Sequence, residues 1–128
     1  MNLADQYRAY IACLNARDWD ALGQFVDERV QYNGERIGLA GYQTMLERDV
    51  AVIPDLRFTV DLLAIDPPLV ASRLVFDCCP KGLFLGLQTQ GRRLTFSENV
   101  FYTFEDGRIV SVWSVIDKAA VERALQQP

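Results

Sequence analysis

The sequence predicts an α+β domain over residues 1–128, with three N-terminal helices covering one face of a curved antiparallel sheet. About four long strands and a short hairpin build that sheet, and a short C-terminal helix follows. Three observations carry the prediction. Apolar residues recur at helical spacing as far as Ile53, and from Leu56 onward they alternate with polar ones. Tight-turn signals, Asn33-Gly34 and Asp106-Gly107, lie between extended runs.

Residues 2–16 place Leu3, Tyr7, Tyr10, Ile11 and Leu14 on one stripe of an amphipathic helix capped by Asn2. Asn15-Ala16-Arg17 breaks it. Asp18 then caps a second, short helix with Trp19, Leu22, Phe25 and Val26 on one side. Trp19 has two available roles, a stacking surface for a ligand or a helix-packing anchor. Val30-Gln31-Tyr32 and Arg36-Ile37 flank the turn at Asn33-Gly34-Glu35, forming a small hairpin. Tyr32 either packs there or offers its hydroxyl to a pocket. A third helix runs from about Leu39 to Ile53, with Tyr42, Met45, Leu46, Asp49, Val50 and Ile53 at helical spacing. Asp49 is expected to face solvent, and Pro54 ends the helix.

Leu56 to Leu62 reads as the first long strand, and Asp66-Pro67-Pro68 turns the chain. Leu69 to Cys79 is the next strand, with Arg73 and Asp77 on one parity beside Ala71 and Val75. Pro80 to Gly91 holds three glycines and the apolar triplet Leu83-Phe84-Leu85. It fits a mobile loop, a lid over an apolar mouth, or an edge strand buried in a dimer. A final hairpin turns at Asp106-Gly107, and Asp117 to Leu125 makes the terminal helix. Phe101, Ile109, Trp113 and Val115 put apolar groups on the sheet's second face, which predicts a homodimer through the sheet.

Composition removes several classes of function. A net charge of −4 and a pI near 4.7 argue against nucleic-acid binding. No apolar run approaches the roughly 18 residues of a membrane span, and no signal peptide opens the chain, so a cytoplasmic location away from membranes is expected. Cys13, Cys78 and Cys79 read as reduced thiols. The chain has no histidine, which eliminates imidazole acid–base chemistry and the usual transition-metal sites. No metal and no cofactor are expected.

The sharpest chemical signal is Glu98. In the strand from Leu94 to Phe104 the even positions are Leu94, Phe96, Glu98, Val100, Tyr102 and Phe104, an apolar face with one carboxylate. Such a group must be paired, line a cavity or stay protonated. As a cavity base Glu98 would have its pKa raised by burial toward the working pH. As a structural group it would pair with Arg73. Arg73 is alternatively an electrophile for a developing enolate, and Tyr102, on Glu98's face, is a donor to an oxyanion or a packing residue. Ser114 is a further pocket candidate, and Asp117 is either a pocket residue or the N-cap of the last helix.

Five ordered segments carry a family resemblance. They are Asn15-Ala16-Arg17-Asp18-Trp19, Ile53-Pro54-Asp55-Leu56-Arg57, Val70-Ala71-Ser72-Arg73, the spaced glycines Gly82, Gly86 and Gly91, and Asp106-Gly107-Arg108-Ile109 with Trp113 and Asp117. This set resembles the SnoaL-like polyketide cyclases and the related "predicted ester cyclases", within the superfamily of nuclear transport factor two and ketosteroid isomerase. The resemblance implies a homodimer of cones, each with an apolar cavity for a small hydrophobic molecule, and a cavity carboxylate that moves a proton next to a carbonyl. It also implies departures. The family's acid–base aspartate falls on Ser114 and its cavity histidine on Val100, while Glu98 keeps the cavity-facing parity with Tyr102 and Ser114.

Three functions follow from these readings: a cofactor-independent cyclase or isomerase, a non-catalytic binder of a small apolar ligand, or a dimerising interaction module. A cavity of several hundred Å³ lined by Glu98 without a full salt bridge would favour the first. The expected lining is Tyr32, Trp19, Ser114, Val100, Asp117 and Phe84, around Glu98, Arg73 and Tyr102.

Overall fold

The alternation that defines the last hairpin sets the frame of the whole molecule. In the computed structural model, which describes residues 2–127, strand β7 (Leu94–Glu105) buries Leu94, Phe96, Val100, Tyr102 and Phe104 on one face. It lies between β4 (Leu69–Cys78) and β8 (Arg108–Ile116), both antiparallel to it. β4 repeats the pattern, burying Val70, Ser72, Leu74, Phe76 and Cys78. Its partner on the other side, β3 (Thr59–Asp66), forms one edge of the sheet.

The opposite edge is made by β1 (Val26–Tyr32) and β2 (Glu35–Arg36), giving the order β2-β1-β8-β7-β4-β3. β1 runs parallel to β8, so the sheet is mixed where the sequence predicts antiparallel pairing throughout. The predicted hairpin turn is present. Asn33 and Gly34 both take left-handed backbone angles (φ 50° and 86°), the primed turn that Asn-Gly favours.

α1 (Leu3–Asn15) lays Tyr7, Tyr10, Ile11 and Leu14 against the sheet's inner face, and the Asn2 side chain accepts from the Asp5 amide at 2.8 Å. The second helix is a 3-10 turn over Trp19–Gln24 only. Asp18 makes no side-chain cap, and Val26 belongs to β1. α2 (Gly38–Val52) packs on β1, and α3 (Lys118–Gln126) packs on β7. Between β4 and β7 the segment predicted as a loop folds into a separate small hairpin, β5 (Leu83–Phe84) with β6 (Leu87–Gln88).

Two sequence expectations fail for physical reasons. β3 begins at Thr59 rather than Leu56, because α1 anchors the preceding residues. The Asn15 side chain donates to the Phe58 carbonyl (2.9 Å) and accepts from the Phe58 amide (2.7 Å), while the Arg17 guanidinium donates to the Leu56 carbonyl. Leu56 and Phe58 are thereby buried without sheet pairing. Ile109 is fully buried instead of lying on the outer face. A bulge in β8 pairs Ser111 with Thr103 but Ile109 with Phe104, and this turns Ile109 inward. Phe101, Trp113 and Val115 do lie outside, 58%, 54% and 70% exposed.

Asn15→Ala removes both hydrogen bonds that hold Phe58's backbone. It is expected to lower the unfolding free energy by about 1–3 kcal/mol in denaturant titration. A change within a few tenths of a kcal/mol would show that the anchor is dispensable.

Candidate functional site

Four rings form the apolar wall of a pocket between the sheet and α2. Phe76 stacks on Phe96 (5.2 Å between centroids, 28°), Phe58 meets Phe76 edge-on, and Phe84 leans on Phe96 at 5.2 Å. Strand periodicity puts Phe76 and Phe96 on the inner face. The Asn15 anchor supplies Phe58, and the β5–β6 hairpin brings Phe84 into the wall. The pocket holds about 110 Å³. A second chamber of about 40 Å³, room for about one water, lies deeper among Tyr10, Tyr42, Val100 and Tyr102. Glu98, Asp49 and Tyr32 border both. The space is smaller than the several hundred Å³ that would mark the enzyme reading, and Phe84 and Met45 are among its lining.

Glu98 stands on β7 directly opposite Leu74 of β4 and Ile116 of β8. Its carboxyl accepts a hydrogen bond from the Ser114 hydroxyl. Burial pushes its pKa up, and the Ser114 donor opposes that rise. Ser114 is itself held. Its amide donates to Asn33 Oδ1 at 2.8 Å and its carbonyl accepts from Asn33 Nδ2 at 3.3 Å. The turn asparagine of the first hairpin thus clamps the backbone that presents the hydroxyl to Glu98.

Asp49 is the residue that sequence reading missed. It is exposed as a residue at the pocket rim, but its carboxyl borders both chambers and is pushed up to about 6 by desolvation and then by the Glu98 charge. The surroundings of the carboxyl head, not of the stem, set its proton affinity. The signal was present in the sequence. Asp49 continues the Tyr42, Met45, Ile53 stripe of α2, and all four line the pocket or its inner chamber.

Deeper still, the buried tyrosines satisfy one another. Tyr10 and Tyr42 hydroxyls are 2.6 Å apart, and the Tyr7 hydroxyl lies 2.8 Å from Ser72 Oγ and 3.4 Å from the Tyr102 hydroxyl. Burial raises the pKa of Tyr7, Tyr10, Tyr42 and Tyr102, keeping these phenols neutral. Tyr32 is raised by burial too, with the Ser114 hydroxyl opposing.

Of the residues singled out from the sequence, the fold gathers Glu98, Tyr32, Ser114 and Phe84 at the pocket, with Val100 and Tyr102 behind them. Three do not join. Arg73 is on the outer face, where its guanidinium meets Asp61 at 2.5 Å. It sits opposite Asn99, one residue out of step with Glu98, so the Glu98–Arg73 pair cannot form. Trp19 is half-buried in the 3-10 turn and packs on the core without reaching either chamber. Asp117 accepts from the Ala120 amide at 3.1 Å as the N-cap of α3. A larger open groove of about 500 Å³ between α1 and β3, edged by Arg8 and Arg57, holds neither cavity carboxyl. Among the described residues no cluster of acidic or cysteine side chains is arranged to hold a metal ion, and no helix is long and apolar enough to cross a membrane.

A curved sheet wrapped by N-terminal helices around an acid-bearing pocket defines a cone-fold protein of the kind that encloses small molecules. The model of the SnoaL-like polyketide cyclase family matches residues 4–125, and the chain belongs to that family. It is similar to a SnoaL-like polyketide cyclase from Agrobacterium tumefaciens strain C58, with 50% identity, 98% of each chain covered and a TM-score of 0.96. TsrD from Streptomyces laurentii (23% identity, 98% of each chain, TM-score 0.84) shares the fold. So does IdmH from Streptomyces antibioticus, at 20% identity over 97% of this chain and 98% of that one, with a TM-score of 0.84. None of the curated proteins matches the chain.

The Asp49 shift has a thermodynamic consequence. Its folded pKa of about 6 exceeds the ordinary 3.8, so as pH rises the unfolded chain releases this proton first. Between these values the folded state binds more protons, so stability falls as pH rises and then levels off. Asp49→Asn should remove that slope, measured by thermal or denaturant unfolding across pH 4 to about 6. Identical pH profiles for variant and wild type would contradict the shift.

Proposed function

We propose that this protein is a cofactor-independent cyclase or isomerase that moves a proton next to the carbonyl of a small hydrophobic substrate, with Glu98 as the base. One observation carries the reading: a carboxyl set in an aromatic pocket with a hydroxyl donor and, among the described residues, no cation bordering the pocket. Desolvation strengthens such a carboxylate as a base toward a carbon-bound proton, and a raised pKa brings it closer to neutral working conditions. Family membership supports the reaction class. Pocket size favours a compact carbonyl compound held among the phenylalanines, or a longer one admitted when Phe84 withdraws. Tyr32 is the hydroxyl best placed to donate to the substrate oxygen, since it borders the pocket that Glu98 faces while Tyr102 lines only the inner chamber.

The binding-only alternative predicts a retained ligand and no chemistry. Mass spectrometry of what co-purifies, together with exchange of α-protons for solvent deuterium in compact cyclic ketones, separates the two. Glu98→Gln should leave the circular dichroism spectrum unchanged and reduce exchange by at least about 10²-fold. Undiminished exchange removes Glu98 from the mechanism. Ser114→Ala deletes the donor that favours the charged form, so the acidic limb of the rate profile should move to higher pH.

We assign the exposed apolar face, with Leu62, Phe101, Trp113 and Val115, to a homodimer contact. Trp113→Glu is expected to halve the mass found by light scattering; an unchanged mass would place the contact elsewhere. The free thiols Cys13, Cys78 and Cys79 suit a reducing compartment, the cytoplasm.

A further inference from the structure

We infer that Asp49 is the acid partner of Glu98: it gives a proton to the substrate's carbonyl oxygen while Glu98 takes one from the adjacent carbon. This rests on the reading of Glu98 above and deepens it, because it names the acid and the substrate class, a carbonyl compound with a hydrogen on the adjacent carbon.

The geometry makes the pair. The inward stripe of α2 brings Asp49 to the same two chambers that Glu98 borders from β7. The titratable groups facing Asp49 there are Glu98 and Tyr102 from β7, Tyr10 from α1, Tyr32 from β1 and Tyr42 from its own helix. The four phenols are neutral, and among the described residues no arginine or lysine lines either chamber. Two carboxylates across an aromatic cavity cannot both ionise cheaply, so the second proton stays on the pair until the pH rises through about 6.

Hydrogen bonding decides where that proton sits. The Ser114 hydroxyl donates to Glu98 and favours its anion, whereas no described side chain donates to the Asp49 carboxyl. The proton is therefore held by Asp49 and the charge by Glu98. The upward shift of Asp49, with Glu98 as its second cause, agrees.

The chemistry balances without any added reagent. Glu98 takes the proton from the α-carbon, and the C–H electron pair becomes the enol double bond. The carbonyl π pair moves to oxygen, which bonds the proton released by Asp49. In isomerisation, Glu98 returns its proton to a different carbon while Asp49 recovers the enol O–H proton as the carbonyl re-forms. In aldol closure, the enol carbon bonds to a second carbonyl carbon, whose oxygen takes the Glu98 proton. Asp49 again recovers the enol proton. Either way both carboxyls end as they began.

Carbon-13 NMR of the side-chain carboxyls, followed against pH in the intact protein without substrate, tests the pair directly. Asp49 should titrate near 6, and Glu98→Gln should move that midpoint down toward the ordinary carboxylate value. Asp49→Asn should lower the Glu98 midpoint in turn, since coupling between two sites is reciprocal. In the exchange assay Asp49→Asn should lose at least about 10²-fold and also the decline in rate above about pH 6 that marks loss of the acid's proton. An Asp49 midpoint at the ordinary value and unmoved by Glu98→Gln overturns the inference, as does full exchange activity in a folded Asp49→Asn variant. Both results leave Glu98 as the base. Failure of the underlying reading looks different, with exchange that survives Glu98→Gln.

Discussion

A half-buried carboxyl group given one hydroxyl and, among the described residues lining its pocket, no cation is the constraint around which this molecule is arranged. Taking a carboxylate into an apolar site costs several kcal/mol unless it is paired, hydrogen-bonded or neutralised. Glu98 is only partly relieved of that cost. The Ser114 hydroxyl supplies a single donor, and the Asn33 turn fixes the backbone behind it. What is not relieved raises the carboxyl's affinity for a proton, which is the property the proposed function requires of it.

The fold also shields that site by joining distant segments. The break after α1 and the turn after α2 meet through Asn15, Arg17, Leu56 and Phe58. The Asp55 carboxylate then accepts from the Cys79 amide at the end of β4 (3.1 Å to one oxygen), so the same turn also braces the long strands. Two of the segments that carry the family resemblance are therefore the two sides of one joint, and Phe58 is the part of that joint that reaches the pocket.

Much of this was legible in the sequence, and the misses share a cause. Alternation stated that Glu98 shares a face with Phe96, Val100 and Tyr102, and the structure agrees. The Asn33-Gly34 turn, the Asn2 cap and the end of α2 near Pro54 were equally local signals. Alternation does not say which face is inside when both are apolar. Arg73 was matched with Glu98 although it belongs to the outer parity, with Asp61 and Phe101. The β8 bulge reversed Ile109, and no composition signal announces an extra residue in one strand. Asp49 is exposed, as its residue type predicts, and the helical spacing it shares with Tyr42 and Ile53 also brings it to the rim of the pocket. The small hairpin β5–β6 pairs only with itself, so no periodicity in the long strands could define it.

That hairpin divides the labour of the molecule. Phe84, one ring of the pocket wall, rides on a separate two-stranded unit whose ends are closed by the Thr89 hydroxyl on the Pro80 and Gly82 carbonyls, whereas Glu98 and Ser114 are built into the main sheet. The calibre of the entrance and the reactivity behind it are thus written in separate stretches of chain. Under the proposed function, sequence drift across residues 83–88 would change the wall that meets the substrate while leaving the carboxyl and its hydroxyl donor in place.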